Sequence, residues 1–195
     1  MLESTSHNVL IVTYWAFDDA LIQSYTLPYV RIIKSMLKPG STVFLVTQEP
    51  NQLTMERIIN ISDPDFVTKP TLYQPFSLKT IFKLKKLVKL LSRFIEKHEV
   101  QTIHAWCSPA GAIGYLLHKR TGKRLVIDSF EPHAESLVEN GTWKKSGIAY
   151  KILMRFEKKQ ANAAEHLIAL TKSMRDYAKT KYHCENPNFH IKPAA

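Results

Sequence analysis

Cysteine, glycine and long apolar runs are all scarce in this chain. Its 195 residues include two cysteines and six glycines, too few for a disulfide framework or a collagen-like repeat. The longest apolar stretches, such as Ala110–Leu117, fall far short of the roughly 20 residues that span a bilayer. The start, MLESTSHNVLIV, has no basic segment before its apolar run and so does not look like a signal peptide. We expect one cytoplasmic domain over residues 1–195, with Cys107 and Cys184 reduced and no metal site.

Acidic residues are also few. Lys and Arg number 27 against 17 Asp and Glu, which gives a formal net charge of +10. Much of the excess lies in residues 78–98, which hold seven Lys or Arg and only one acid, Glu96. Apolar residues recur there at steps of three and four, as in Ile81, Leu84, Val88 and Leu91. This period predicts an amphipathic helix with a basic face.

Three interpretations of this basic helix remain open. It is a surface helix with a solvated face, or it contacts anionic lipid at a membrane surface, or it binds nucleic acid. Apolar residues inside the basic arc favour the membrane. No nucleic-acid motif accompanies the helix, so no nucleic-acid partner is expected. The residues expected to contact the membrane are Phe82, Lys83, Lys86, Lys89, Leu90 and Arg93.

Strand-like and helix-like segments alternate along the whole chain. This alternation predicts an α/β fold with a Rossmann-like, doubly wound, mainly parallel sheet and helices on both faces. The predicted strands are Asn8–Tyr14, Ser41–Thr47, Asp65–Thr68, Thr102–Trp106, Arg124–Ser129, His166–Leu170 and Phe189–Ile191. The predicted helices are Leu21–Leu37, Met55–Asn60, residues 78–98, Pro109–Lys119, Gly147–Glu165 and Lys172–Tyr182. Pro28 predicts a kink or boundary in the first helix, and residues 70–75 are expected to form a loop.

In such a fold, ligands bind at the carboxyl ends of the strands. The segment after the first strand contains Asp18 and Asp19, which could cap the next helix or bind ligand hydroxyls. It contains no glycine-rich dinucleotide or P-loop motif.

The ends of the fourth and fifth predicted strands add further candidates. Trp106 could stack on a sugar or base, or simply pack. Ser108 is a plausible N-cap of a helix whose amino end could accept an anion. Glu131 and His133 follow the next strand, and His133 could transfer a proton or cap a helix. His104 lies in an apolar strand and is expected to be a core histidine.

The order of these segments resembles a known family. The stretch IHAWCSPAGAIGYLLHKRTGKRLVIDSFEPHAE is followed by YKILMRFEKKQANAAEHLIALTKSMRDY. Three segments come in the order seen in family-4-type retaining glycosyltransferases. They are Leu116–Lys123, the Glu-Lys pattern in residues 157–165 and the strand end at Ile168–Thr171. This is similar to the N-terminal half of their two-domain GT-B fold, and the similarity covers roughly residues 8–195.

The resemblance implies roles for several residues. His133 matches the active-site histidine, Asp18 and Asp19 match the loop near acceptor and donor, and Thr171 and Lys172 match the strand end that faces the interdomain cleft. The family uses a nucleotide-sugar donor without a tightly bound metal, and a basic helix often contacts the membrane. The glycine pair usual in the first loop is missing here.

The resemblance also implies that residues 1–195 are only the acceptor-side half. The expected function is transfer of a sugar to a cell-surface glycan or lipid-linked acceptor, with retention, on the inner face of the cell membrane. A donor-binding C-terminal domain or partner subunit would be needed, and these residues alone are expected to be inactive. The alternative is a Rossmann-like module that binds a membrane or a partner without its own catalysis.

Overall fold

The computed structural model describes residues 6–73 and 81–192, except for the side chain of Ile81. Seven strands form one sheet in the order β3-β2-β1-β4-β5-β6-β7, and every neighbouring pair is parallel. The predicted doubly wound fold is therefore confirmed. The strands are β1 Asn8–Val12, β2 Val43–Glu49, β3 Val67–Leu72, β4 Val100–Trp106, β5 Arg124–Phe130, β6 His166–Ala169 and β7 Phe189–Ile191.

Seven α-helices connect these strands within the described residues. They are α1 Leu27–Met36, α2 Gln52–Ile59, α3 Ile81–Lys97, α4 Ser108–Thr121, α5 His133–Glu139, α6 Ile148–Ala163 and α7 Lys172–Tyr182. The short helix α5 was not predicted. Residues 78–80 of the predicted basic helix, with Lys79, and Pro193 to Ala195 lie outside the described residues.

Two apolar cores cover the two faces of the sheet. On one face Leu10, Val12 and their neighbours pack against α3, α4, α6 and α7. On the other face Val9 and Ile11 pack against α1, α2 and the segment before α1. Successive residues of a strand point to opposite faces, so a strand with both faces covered must be apolar throughout. This explains the uninterrupted apolar run Val9–Val12.

Pro70 differs from expectation, whereas Pro28 agrees with it. Pro70 lies inside β3 rather than in a loop. It is tolerated because β3 is an edge strand, where a residue without N–H need not donate to a second neighbour. At Pro28 the predicted long helix divides into a π-helical turn, Ile22–Thr26, and α1, in which Pro28 occupies the first turn. Proline removes one N–H from a helix and its ring displaces the preceding turn, so kinks and π-helical turns are typical at such a position.

The strand order reverses between β1 and β4. β1 leads to β2 on one side, whereas β4 lies on its other side. The connections that follow these two strands therefore diverge, and a crevice opens at their carboxyl ends.

Among the helices of residues 6–73 and 81–192, none is both long and apolar enough to cross a bilayer.

Gly114 sets the distance between α4 and the sheet. A Cβ atom there would lie 2.9 Å from Ala105 Cβ and 3.1 Å from Leu125 Cδ1. We predict that Gly114→Val lowers the free energy of unfolding by about 2 kcal/mol through overpacking. The matched control is Lys119→Val on the exposed side of α4, expected to cost a few tenths of a kcal/mol. Urea denaturation measures both, and equal losses would contradict this account of the packing.

Candidate functional site

A cavity of about 290 Å³ lies in the crevice between the carboxyl ends of β1, β4 and β5. More than half of its lining side chains are aromatic or aliphatic, and Glu131 contributes a carboxylate. Such a mixture of apolar walls and few polar groups is typical of small-ligand sites. The lining residues are Trp15, Leu21, Tyr25, Thr26, Trp106, Cys107, Ser129, Glu131 and Leu170.

Two of the lining residues have backbone conformations that favour glycine. Cys107, between β4 and α4, has φ 70° and ψ 163°, and Ser129 in β5 has φ 51°. Each such residue costs about 1–3 kcal/mol, and residues of this kind cluster at functional sites. Burial raises the pKa of the Cys107 thiol, so this thiol stays protonated and is a poor nucleophile.

Glu131 and His133 lie together beside this cavity. His133 Nδ1 is 2.9 Å from Glu131 Oε1, and both side chains remain partly exposed. The segment that carries them is tied to α4, because Ser108 Oγ donates to the backbone carbonyl of Glu131 at 2.6 Å. Ser108 is the first residue of α4, so the prediction that it is the N-cap is wrong. The N-cap is Cys107, and the Ser108 hydroxyl instead supports the loop.

A buried carboxylate fixes the amino end of α5 from behind. Pro132, the N-cap of α5, offers no side-chain acceptor. Glu157 of α6 replaces it: Ala134 N–H donates to Glu157 Oε1 at 2.9 Å, and Tyr182 OH donates to Oε2 at 2.7 Å. Burial raises the pKa of Glu157 to about 7, although these two hydrogen bonds and His133 oppose the increase. Glu157 thereby holds the turn on which His133 lies.

The other predicted ligand residues do not line the cavity. Asp18 forms an ion pair with Arg57 of α2. Asp19 accepts a hydrogen bond from Leu21 N–H at 2.9 Å, which agrees with the capping alternative. Thr171 Oγ1 is 2.8 Å from Ser173 Oγ, and Lys172 is exposed at the start of α7.

The amphipathic character of α3 is confirmed. Val88, Leu91 and Ile95 are buried against the sheet. On the outer side, Phe82 and Leu90 keep 76% and 47% of their surface exposed. A groove of about 480 Å³ on this side is lined by Lys69, Lys86, Lys89, Leu90, Arg93, Phe94 and Lys97. Lys83 is also exposed.

Comparison with known proteins identifies the family. Residues 29–193 match the model of Glycosyltransferase Family 4. The chain belongs to this family. The resemblance noted in its sequence is thus confirmed, apart from retention of configuration, which the match does not address. No curated protein sequence matches this family 4 chain.

Solved structures similar to this family 4 chain include GT-B glycosyltransferases. Sucrose-phosphate synthase from Thermosynechococcus elongatus has a TM-score of 0.69 and 14% identity, covering 97% of this chain and 48% of that one. MurG from Acinetobacter baumannii has a TM-score of 0.55 and 11% identity, covering 97% and 45%. UDP-N-acetylglucosamine 2-epimerase from Rickettsia bellii has a TM-score of 0.61 and 13% identity, covering 97% and 45%. The family 4 chain therefore has the fold of one GT-B domain and spans about half the length of these three structures.

Sequence reasoning missed several residues of this site. Asp128 lies 3.3 Å from His104 Nε2 and is 3% exposed, so His104 is the paired core histidine that was expected. An acid within the apolar strand RLVIDSF was a signal that could have found Asp128. Glu157 was detectable in principle, since it shares a helical face with Leu153 and Gln160. Within residues 6–73 and 81–192, no three His, Cys, Asp or Glu side chains are grouped as in a metal site.

Glu157 predicts a pH dependence of stability. Its pKa is near 7 when folded but close to 4.3 when unfolded. Between these values the folded state binds more protons, so the free energy of unfolding falls as pH rises from about 4.5 to 7, by on the order of 3 kcal/mol. We predict that Glu157→Gln removes this fall, as measured by urea denaturation at pH 4.5, 6 and 7.5.

Glu139→Gln, on the exposed last turn of α5, is the matched control and should keep the wild-type pH profile. If Glu157→Gln keeps the wild-type dependence of stability on pH, Glu157 does not cause the fall between pH 4.5 and 7.

Proposed function

We propose that this chain is the acceptor-side half of a retaining glycosyltransferase. The reaction is transfer of a sugar from a nucleotide-sugar donor to a cell-surface glycan or lipid-linked acceptor. The observation that carries the proposal is the aromatic cavity at the strand-order reversal, with Glu131 and His133 at its edge, in a chain of family 4. The GT-B glycosyltransferases of similar fold support it.

The cavity supplies the groups that such an acceptor needs. Trp15 and Tyr25, which are partly exposed, offer aromatic surface to a sugar or to the apolar part of a lipid-linked acceptor. The buried Trp106 forms the wall behind them. Glu131 offers a carboxylate that accepts hydrogen bonds from hydroxyl groups.

His133 acts on a hydroxyl or on the transferred sugar. Glu131 occupies Nδ1 of His133, which leaves Nε2 for a ligand because the paired nitrogen determines the tautomer. A histidine held in this way can accept a proton from a ligand hydroxyl at Nε2 and return it. Glu131 and Glu157 fix its position, one through the ring and the other through the backbone of α5.

Donor binding is assigned to a second domain or partner subunit. The chain spans about half of the similar glycosyltransferases, and no resident cofactor is invoked, since the nucleotide-sugar is itself a substrate. We predict that the 195-residue chain alone transfers no sugar from a panel of radiolabelled nucleotide-sugars to lipid or glycan extracts. Robust transfer by this chain would contradict the assignment.

The role of His133 is tested in the longest natural chain or complex that contains these residues. We predict that His133→Ala lowers kcat there by about 10² to 10⁴ fold, the usual contribution of a positioned acid or base. His190→Ala, exposed on the edge strand β7, is the matched control and should keep activity within about twofold. A fully active His133→Ala enzyme would refute the assignment.

The outer side of α3 favours an additional contact with an anionic membrane, on the cytoplasmic face. Lys86, Lys89 and Arg93 line one groove, with the apolar Leu90 among them and the exposed Phe82 one turn earlier. Cations around apolar side chains suit the lipid headgroup region, where each Lys or Arg contributes about 1 kcal/mol. If transfer activity is absent from every natural form, this surface supports the alternative function of a membrane- or partner-binding module.

Charge reversal tests the membrane contact. We predict that Lys83, Lys86 and Lys89 changed together to Glu abolish co-sedimentation with phosphatidylserine-containing vesicles. The matched control changes Lys151, Lys158 and Lys159 of α6 to Glu, which gives the same net charge on another exposed helix, and should retain most binding. Equal losses in both variants would indicate attraction by net charge alone, and no binding by the wild type would remove the membrane from the proposal.

A further inference from the structure

Lys192, the last residue that the structure describes, ends inside a cage of aromatic rings. Its Nζ lies 4.1 Å from the ring centroid of Tyr29, 4.4 Å from that of Trp106 and 5.2 Å from that of Tyr25. Distances below about 6 Å allow cation–π attraction, which is strongest for Trp and increases as water is excluded. Lys192 keeps only 19% of its side-chain surface exposed.

A carboxylate completes this cage. Lys192 Nζ is 2.7 Å from the Asp128 carboxylate, and Asp128 is almost fully buried. Burial alone would raise the pKa of Asp128, but the hydrogen bonds and charges of His104 and Lys192 hold it below its usual value. Ser129 N–H also donates to Asp128, at 2.6 Å. An ammonium group in the cage is thus surrounded by three aromatic rings and one ionised carboxylate.

We propose that Tyr25, Tyr29, Trp106 and Asp128 form a binding site for a primary alkylammonium group, which the chain fills with its own Lys192. Three structural elements supply the cage, namely the segment around α1, β4 and β5. The cation comes from a fourth, because Lys192 directly follows β7, a strand of only three residues.

The occupied cage is a latch for this edge of the sheet. β7 pairs with β6 alone, and Lys192 N–H donates to the Ala169 carbonyl at 2.9 Å. The side chain then reaches across β6 and β5 toward the crevice, where Trp106 and Tyr25 also line the cavity. The latch therefore joins the end of the described chain to two walls of the candidate site. It does not depend on the proposed transferase function.

Chemical rescue tests the site in the 195-residue chain. Lys192→Ala removes the three carbons and the ammonium that n-propylammonium can replace. We expect this variant to lower Tm by a few degrees, because the ammonium group loses its three ring contacts and its carboxylate partner. Added n-propylammonium chloride should recover at least half of the loss. Neither n-propanol nor NaCl at the same concentration should recover the Tm. In the double variant Lys192→Ala with Asp128→Asn, n-propylammonium should not raise the Tm either.

Other results would overturn the proposal. A Tm unchanged by Lys192→Ala, or a recovery by n-propanol equal to that by n-propylammonium, would show that no ammonium site exists. Lys158→Ala removes an exposed lysine of α6 and is the control. Its Tm should stay close to that of the wild type, and n-propylammonium should not raise it.

A second measurement applies if Lys192→Ala does not fold. In the wild type, ring currents should move the Lys192 ε-CH2 proton resonance upfield of the other lysines, and Lys192→Arg should remove that signal. If all lysine ε-CH2 resonances have the chemical shift of exposed lysines, the proposed ammonium site does not exist.

Discussion

The reversal of strand order between β1 and β4 is the constraint on which the rest of this structure depends. Parallel strands need crossover connections, and these have one hand. The connections from β1 and β2 therefore lie on one face of the sheet, and those from β3 onward lie on the other. Where the two sets diverge, the strand ends are left uncovered and a crevice forms. The cavity, its strained residues and the loop of Glu131 and His133 all lie at this position.

Buried carboxylates organise this crevice. Asp128 joins His104, the turn at Ser129 and the cation Lys192, whereas Glu157 fixes the turn of α5 through a backbone N–H. A buried acid is costly unless its oxygens are paired. Opposite charges keep Asp128 ionised, but Glu157 has mainly neutral donors and its pKa rises toward neutrality. In this loop region Asp128 therefore stays ionised at neutral pH, whereas Glu157 changes its charge near pH 7.

The fold was largely accessible from the sequence, because apolar strand runs and helix periods repeat in alternation. The ends of α7 and β7 agree with prediction, but β3 continues through Pro70 because it is an edge strand, which only the topology reveals. The site was less accessible. Glu131 and His133 follow a predicted strand, whereas Lys192 gives no signal, since its partners come from segments more than 60 residues away in the chain. Asp18 and Asp19 look alike in sequence, yet one pairs with α2 and the other supports a turn.

We propose that the cavity lined by Trp15 and Trp106 binds the acceptor. The chain has three tryptophans, and Trp143 lies in a separate apolar cluster with α5 and α6, so it serves as an internal reference. The most direct test is a titration of the ¹⁵N-labelled chain with octyl glycosides, which join a sugar to an apolar chain, followed by the three indole N–H resonances. We predict that the signals of Trp15 and Trp106 shift together while that of Trp143 stays in place. Shifts confined to Trp143, or no shift at any indole across a panel of octyl glycosides, would contradict it.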